Sequence, residues 1–307
     1  MKKRILTLLL LLSGAWTLAA QETFQYAQKD TSALYLDIWR PAAGAQTSFE
    51  GHAKPTVLFA FGGGFIGGER NNPWYHKWFQ LMTEDGYTVV SIDYRLGMRG
   101  FQVGKGLSGK FKAVKRFRYS QDIGVEDVFS AISFLAAHPD LGIDTGNIVL
   151  SGSSAGAIIT LAAVREIANG TAQGLPEGFV PRGAMSFAGA IISTDGKPKF
   201  KSAPCPLLLL HGTADQAVAY DHLGVWGKGL WGSSWIAEQL DRKAWKYNIW
   251  RFTNRTHDVA SYMEVLWPLE KDFLEQEVLL GNHRVIDATV DDAALPSWGN
   301  ISLDSIY

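Results

Sequence analysis

Ser154 is the residue whose surroundings promise chemistry. It stands at the centre of Gly152-Ser153-Ser154-Ala155-Gly156, a G-x-S-x-G pattern. A serine hydroxyl is a poor nucleophile unless a sharp turn holds it out toward a base. Gly152 and Gly156 lack Cβ, so such a turn can close without collision. The pattern alone also describes a serine in a flexible glycine loop. Its context separates the two readings: an apolar run at 147–150 predicts a strand before it, and small residues over 155–168 predict a helix after it. A helix that starts there aims free N–H groups and its positive dipole end at the same point.

Acyl transfer needs three things besides a nucleophile: a base, a group that orients the base, and donors for an oxyanion. Phe61-Gly62-Gly63-Gly64-Phe65 follows an apolar run at 56–61. Its bare backbone can approach a carbonyl oxygen, so Gly63 or Gly64, with Ala155, are the candidate oxyanion donors. A phosphate-binding turn would end in G-K-[ST], and Phe65-Ile66 does not. The candidate acid is Asp215 in His211-Gly212-Thr213-Ala214-Asp215, directly after an apolar run at 207–210, with Asp221 as its nearest rival. The candidate base is His257, one of seven histidines. It alone lies late in the chain between a strand pattern and a helix pattern. His211 is expected to make structural hydrogen bonds near the acid. No cofactor is required, and the histidines and carboxylates show no zinc spacing.

These residues need a scaffold. Alternation over 23–28 and 33–39 predicts a half-exposed antiparallel pair. Continuous apolar runs at 56–61, 87–92, 147–150, 183–187, 207–210 and 247–252 predict strands buried on both faces. Helical spacing appears at 74–84, 121–137, 155–168, 234–242 and 259–279. Strand and helix alternate, which demands a mostly parallel sheet of about eight strands with helices on both faces. Site residues on such a sheet collect at the carboxyl ends of the strands. Two segments break the rhythm. Residues 97–119 read as a long loop, and residues 281–307 as a polar C-terminal tail.

With 307 residues, 47% of them hydrophobic, the chain suits one large α/β domain, placed at 21–280. Lys2, Lys3 and Arg4 before an apolar run at 5–12, then Ala19 and Ala20, read as a secretory signal peptide over 1–20. The apolar stretch falls short of the ~20 residues that span a bilayer, so no stable membrane insertion is expected and the protein is expected outside the cytoplasm, secreted or periplasmic. Losing that leader changes 29 basic against 30 acidic residues to 26 against 30. This is not the balance of a nucleic-acid binder. The lone cysteine, Cys205, excludes an intrachain disulfide.

The chain order Ser154, Asp215, His257 matches that required by the α/β-hydrolase scaffold. Together with FGGGF at 61–65, SIDYRLG at 91–97, VEDVFSAISFL at 125–135, GIDTGNIVLSGSSAGA at 142–157, HGTADQAV at 211–218 and THD at 256–258, it makes the region 33–279 resemble the esterase/lipase branch of the α/β-hydrolase fold. The likeness is to carboxylesterases of the hormone-sensitive-lipase and acetyl-xylan/feruloyl-esterase type. It implies a serine esterase acting on a small ester or an esterified carbohydrate. Members usually carry histidine where Phe61 stands, supporting the oxyanion loop from behind.

Phe65, Trp226 and Trp231 are the candidate substrate-binding residues. Both tryptophans lie in a glycine-rich stretch between acid and base, and exposed aromatics there could stack on sugar rings or aromatic acyl groups. Covering an apolar patch is the competing role. From Arg95 to Arg118 the chain holds eight Lys or Arg and no acid. A solvated loop and contact with an acidic polysaccharide or membrane surface are the two readings. Two other functions compete with the esterase: a serine exopeptidase on the same fold, and a catalytically silent binding member. The sequence leaves the oligomeric state open.

Overall fold

The computed structural model describes residues 21–298; the leader expected at 1–20 lies outside the described residues. Alternating residues form the hairpin of β1 (Gln21–Lys29) and β2 (Ser32–Trp39), with Leu34, Leu36 and Ile38 turned into the core. A small pair, β3 (Ser48–Phe49) and β4 (His52–Ala53), precedes the fully buried β5 (Thr56–Ala60). Helix α1 (Pro73–Glu84) is capped by the Asn72 side chain, which accepts the Trp74 N–H, and carries proline at its first position. There follow β6 (Thr88–Ile92), α2 (Gly106–Ala137), β7 (Ile148–Ser153), α3 (Ala155–Ala168), β8 (Gly183–Phe187), β9 (Ala190–Ser193) and β10 (Leu207–Gly212). A hairpin of β11 (His222–Val225) and β12 (Lys228–Gly232) leads to α4 (Ser233–Asp241) and β13 (Asn248–Phe252). A 3-10 turn (His257–Ser261), α5 (Trp267–Phe273), a π turn (Leu274–Leu279) and β14 (Ile286–Val290) complete the described chain.

Nine strands form one sheet in the order β1-β2-β6-β5-β7-β8-β10-β13-β14. Pairing is parallel from β6 through β14 and antiparallel only where β2 meets β1 and β6. β9, β12 and β11 make a separate three-stranded antiparallel sheet. Strands β5, β7, β8 and β10 are buried along their whole length and have no solvated face. Helices α1 and α5 are joined by the Trp78 indole N–H donating to the buried Glu270 carboxylate at 2.7 Å, and α2 packs on α3 on the opposite face. From β5 the chain crosses to β6 on one side, then returns past β5 to β7 on the other. That reversal opens a crevice at the carboxyl ends of β5 and β7.

Three expectations change. Residues 97–119 are not a long loop: α2 begins at Gly106 and runs 32 residues. Glycines at 104, 106 and 109 and scattered lysines hide the helix, because its first turns bury little and so show no apolar period. The tail at 281–307 is not featureless. It contributes β14, paired with β13 over five residues, and this brings the sheet to nine strands and past the expected domain limit at 280. The single closing helix at 259–279 is three pieces, interrupted where Pro268 starts α5 and where the ladder widens to a π turn.

Candidate active site

Ser154 follows directly on the end of β7 and caps α3, held at φ 51° and ψ −114°. A non-glycine residue in that region costs roughly 1–3 kcal/mol. Neighbouring backbone imposes it: a Cβ on Gly152 would strike the Gly156 backbone, and one on Gly156 would strike the Ala60 carbonyl at the end of β5. The turn is therefore wedged between β5 and its own helix. The Ser154 N–H is committed to the Phe187 carbonyl at 2.9 Å, which leaves its hydroxyl facing the crevice.

His257 Nε2 lies 2.8 Å from Ser154 Oγ, and His257 Nδ1 lies 2.7 Å from Asp215 Oδ2. Three stretches distant in sequence thus meet in one hydrogen-bonded row. The acid and base loops are also stitched to each other. Ala214 N–H donates to the Arg255 carbonyl at 2.9 Å, and Asn254 N–H to the Thr213 hydroxyl at 3.0 Å. Gly212 permits the crossing, since a Cβ there would meet the Arg255 and Thr256 carbonyls.

Asp215 is buried, and its Oδ1 accepts the Ala217 and Val218 N–H groups at 2.9 Å each. Burial pushes its pKa up; hydrogen bonds from His211 and His257, and attraction to both rings, outweigh burial and hold it well below the usual carboxylate range. An ionised carboxylate only accepts, so His257 Nδ1 carries the proton and Nε2 presents its lone pair to Ser154. His211 Nε2 stands 3.3 Å from Asp215 Oδ2 and 3.1 Å from the Val218 carbonyl, with Nδ1 2.9 Å from Ser233 Oγ. It has the structural place foreseen for it. Asp221 is elsewhere, paired with His222 on the surface at 2.9 Å.

The glycine loop abuts the serine. A Cβ on Gly62 would lie 3.3 Å from Ser154 Cβ. Gly63 (φ 138°) and Gly64 (φ 61°) adopt backbone open to glycine. Ile66 and Gly67 N–H groups fold back onto the Gly63 carbonyl at 3.0 and 3.1 Å, while Ala155 opens α3. Phe61, standing in the usual histidine position, stacks on Tyr94 with ring centroids 4.4 Å apart, and the Tyr94 hydroxyl donates to the Phe61 carbonyl at 2.8 Å. Two further supports carried no signal in the sequence. The Tyr75 hydroxyl accepts the Gly62 N–H at 3.0 Å. Arg70 pairs with Asp37 at 3.0 Å and Asp93 at 2.9 Å, tying the loop to β2 and to the end of β6.

The expected substrate residues do not gather. Phe65 and Trp231 are buried, Phe65 edge-on to Tyr94 and Trp231 stacked on His222; neither offers a face to a ligand. Trp226 is exposed but sits at the β11–β12 turn against Phe111 of α2. A different aromatic pair is tied to the loops that carry the site. Trp74 adjoins Tyr75, and the Trp298 backbone N–H donates to Asp258, next in the chain to His257; the two rings meet edge to face at 5.7 Å. A cleft of about 610 Å³ lies at the opposite edge of the sheet, lined by Arg182, Cys205, Glu277 and His283 among others. It includes none of Ser154, Asp215 and His257, so chemistry rather than volume locates the site.

A mostly parallel sheet with a serine at a strained elbow after its central strand defines an α/β-hydrolase. The chain belongs to the carboxylesterase family, whose sequence profile matches residues 15–201. That stretch holds the glycine loop and Ser154; Asp215 and His257 lie beyond it and rest on the geometry. Among solved structures the chain is similar to the apo form of esterase 2 from Thermogutta terrifontis, with TM-score 0.59, 21% identity, and coverage of 85% of this chain and 97% of that one. Among curated proteins it is similar to fumonisin B1 esterase of Sphingopyxis macrogoltabida, 29% identical over 125 residues, and to chlorogenic acid esterase of Aspergillus niger, 32% identical over 127 residues. Each match covers 40% of this chain, and the chain spans only about a fifth of those relatives, 21% and 22%.

Proposed function

We propose that the protein is a serine esterase that hydrolyses short-chain carboxylic esters, including acetyl or feruloyl groups carried on plant polysaccharides. The observation that supports this reading above all is the row Ser154–His257–Asp215, at 2.8 and 2.7 Å, beside a bare glycine backbone. In the reaction, His257 Nε2 takes the Ser154 proton as Oγ attacks the ester carbonyl. Asp215 keeps Nδ1 protonated and balances the imidazolium. The N–H of Gly63 or Gly64, with that of Ala155, holds the oxyanion. His257 returns the proton to the leaving alcohol, leaving an acyl-Ser154. Water deprotonated by His257 then releases the acid and restores the hydroxyl. The carbohydrate part of the reading draws on the exposed aromatic pair Trp74 and Trp298, and the feruloyl part on the likeness to chlorogenic acid esterase. Residues 1–20 are proposed to export the protein to the periplasm or the medium, which sequencing of the mature amino terminus checks.

The test is turnover of p-nitrophenyl acetate beside acetylated and feruloylated xylan fragments. Ser154→Ala is expected to lower turnover by at least ~1000-fold, and paraoxon to modify Ser154 in the native protein. Undiminished turnover in Ser154→Ala overturns the mechanism. A uniform response across aryl and sugar esters overturns the carbohydrate preference and leaves a general esterase.

A further inference from the structure

Helix α2 is far longer than the sheet it serves. Its 32 residues extend about 48 Å, against about 17 Å for a five-residue strand. The level at which it passes the carboxyl edge is marked by Arg95, just after β6. The Arg95 N–H and guanidinium bond Asp127, and Nη2 reaches the Ile123 carbonyl at 3.1 Å. Residues 106–119 therefore rise roughly 20 Å past that edge, on the side where Ser154, Asp215 and His257 lie. The β11–β12 hairpin rises beside them, and Trp226 at its turn stacks on Phe111 of α2 at 6.3 Å and 14°.

This projection is cationic and apolar at once. One side of the helix packs inward through Gly109, Ala113 and Ser120. The other presents Leu107, 76% exposed, and Phe111, flanked by the exposed Lys110, Lys112 and Lys115. Trp226 is 85% exposed, with exposed Leu223 and Lys228 beside it. Arg95 and Arg118 are spent on carboxylates. Among the described residues, Lys105, Lys110, Lys112, Lys115 and Lys228 form no ion pair. The turn that displays Trp226 is also costly. Trp226 (φ 53°) and Gly227 (φ 74°) make a two-residue turn in which both φ are positive. Asn, Asp or Gly suits the first position, and a bulky indole there is strained.

We propose that this tip docks the protein on an anionic lipid surface, with Leu107 and Trp226 entering the headgroup boundary and the five lysines facing lipid phosphates. The charge pattern selects an anionic partner, and the outermost groups select a lipid one. A soluble acidic glycan would pair with the lysines and offer Trp226 a sugar face, yet it gives the aliphatic Leu107, 76% exposed, nothing to enter, whereas an amphiphilic interface satisfies all three. No described helix is long and apolar enough to cross a membrane, so contact is peripheral, and it holds the mouth of the crevice toward the lipid. The proposal does not depend on Ser154 being a nucleophile.

The experiment is co-sedimentation of the mature chain with phosphatidylcholine vesicles, with mixed phosphatidylcholine–phosphatidylglycerol vesicles, and with soluble polygalacturonate. Binding is expected to the mixed vesicles alone. The triple change Lys110→Glu, Lys112→Glu and Lys115→Glu is expected to weaken it by at least ~10-fold while hydrolysis of soluble p-nitrophenyl acetate stays unchanged. Leu107→Ser is expected to weaken it several-fold, about equally at low and high salt, since an apolar contact is not screened. Failure to bind mixed vesicles, equal binding to neutral ones, or indifference to both sets of substitutions overturns the proposal. Capture by polygalacturonate without vesicle binding overturns it in favour of a glycan.

Discussion

At the residue scale the site trades stability for geometry. Ser154 is held at φ 51°, where glycine rests without strain. Ser154→Gly is expected to raise stability by about 1 kcal/mol, the relieved strain less glycine's larger entropy loss, in urea unfolding, while ester turnover disappears. An unchanged or lower stability would mean that the elbow is relaxed. Asp215 contributes through its charge. Its folded pKa lies below its unfolded value, so the unfolded chain binds the proton more readily. The stabilisation is complete above the unfolded pKa, about 3.9, and is lost as pH falls from there toward the folded value. Asp215→Asn should remove that acid-dependent part of the stability and lower kcat by about 1000-fold or more, because an amide does not hold Nδ1 protonated. Unfolding at pH 7, 5 and 3 checks the first, and turnover the second. A variant with the native acid profile would place the acid-sensitive charge elsewhere.

At the scale of elements, each reactive group sits where a strand stops, and the base loop has an extra clamp. Residues 292–298 fold over it. Arg255 donates to the Asp292 carbonyl at 2.6 Å, Tyr262 to the Pro296 carbonyl at 2.5 Å, and Asp258 accepts the Ser297 hydroxyl at 3.2 Å and the Trp298 N–H at 3.0 Å. Ending the chain at Asp291 should keep the fold but loosen His257, lowering kcat by about 10-fold or more through misplacement of the base. Unchanged kcat, with circular dichroism intact, would show that the clamp is dispensable. None of this was legible beforehand. Ser154, Asp215, His257 and the glycine loop announce themselves because strand ends at a parallel sheet edge have strong local signatures: an apolar run, then glycine, then a reactive group. The clamp depends on carbonyls and a few polar side chains that carry no period. The first turns of α2 were hidden for a related reason, since an element that buries little leaves no apolar stripe. Trp231 misled for the opposite reason: an aromatic in a glycine-rich stretch reads as exposed, whereas Trp231 lies in β12, the middle strand between β9 and β11, with its ring against His222 and Trp235.

At the scale of the whole molecule, the sheet is closed on one side by the antiparallel β1–β2 pair and on the other by β14. That last strand is short and half-exposed, alternating Ile286, Ala288 and Val290 with polar residues, too weak a pattern to stand out from a polar tail. Its work is done through the backbone. It pairs with all five residues of β13, extends the ladder through Thr253 N–H to the Val290 carbonyl at 2.8 Å, and locks register through Arg251, which grips Asp287 at 2.6 and 2.8 Å. A chain ending at Leu280 would leave β13 as a bare edge, its N–H and C=O groups open to another copy. Such a chain is expected to lose soluble yield and to show larger species by light scattering than the full protein, whereas the chain ending at Asp291 keeps the native size distribution. The pair of truncations separates two roles of one segment: residues up to Val290 guard the sheet edge, and those beyond hold the base. If the chain ending at Leu280 stays as soluble and as small as the parent, β14 is an ornament to the sheet and the edge must be protected by the one charge of β13 itself, Arg251.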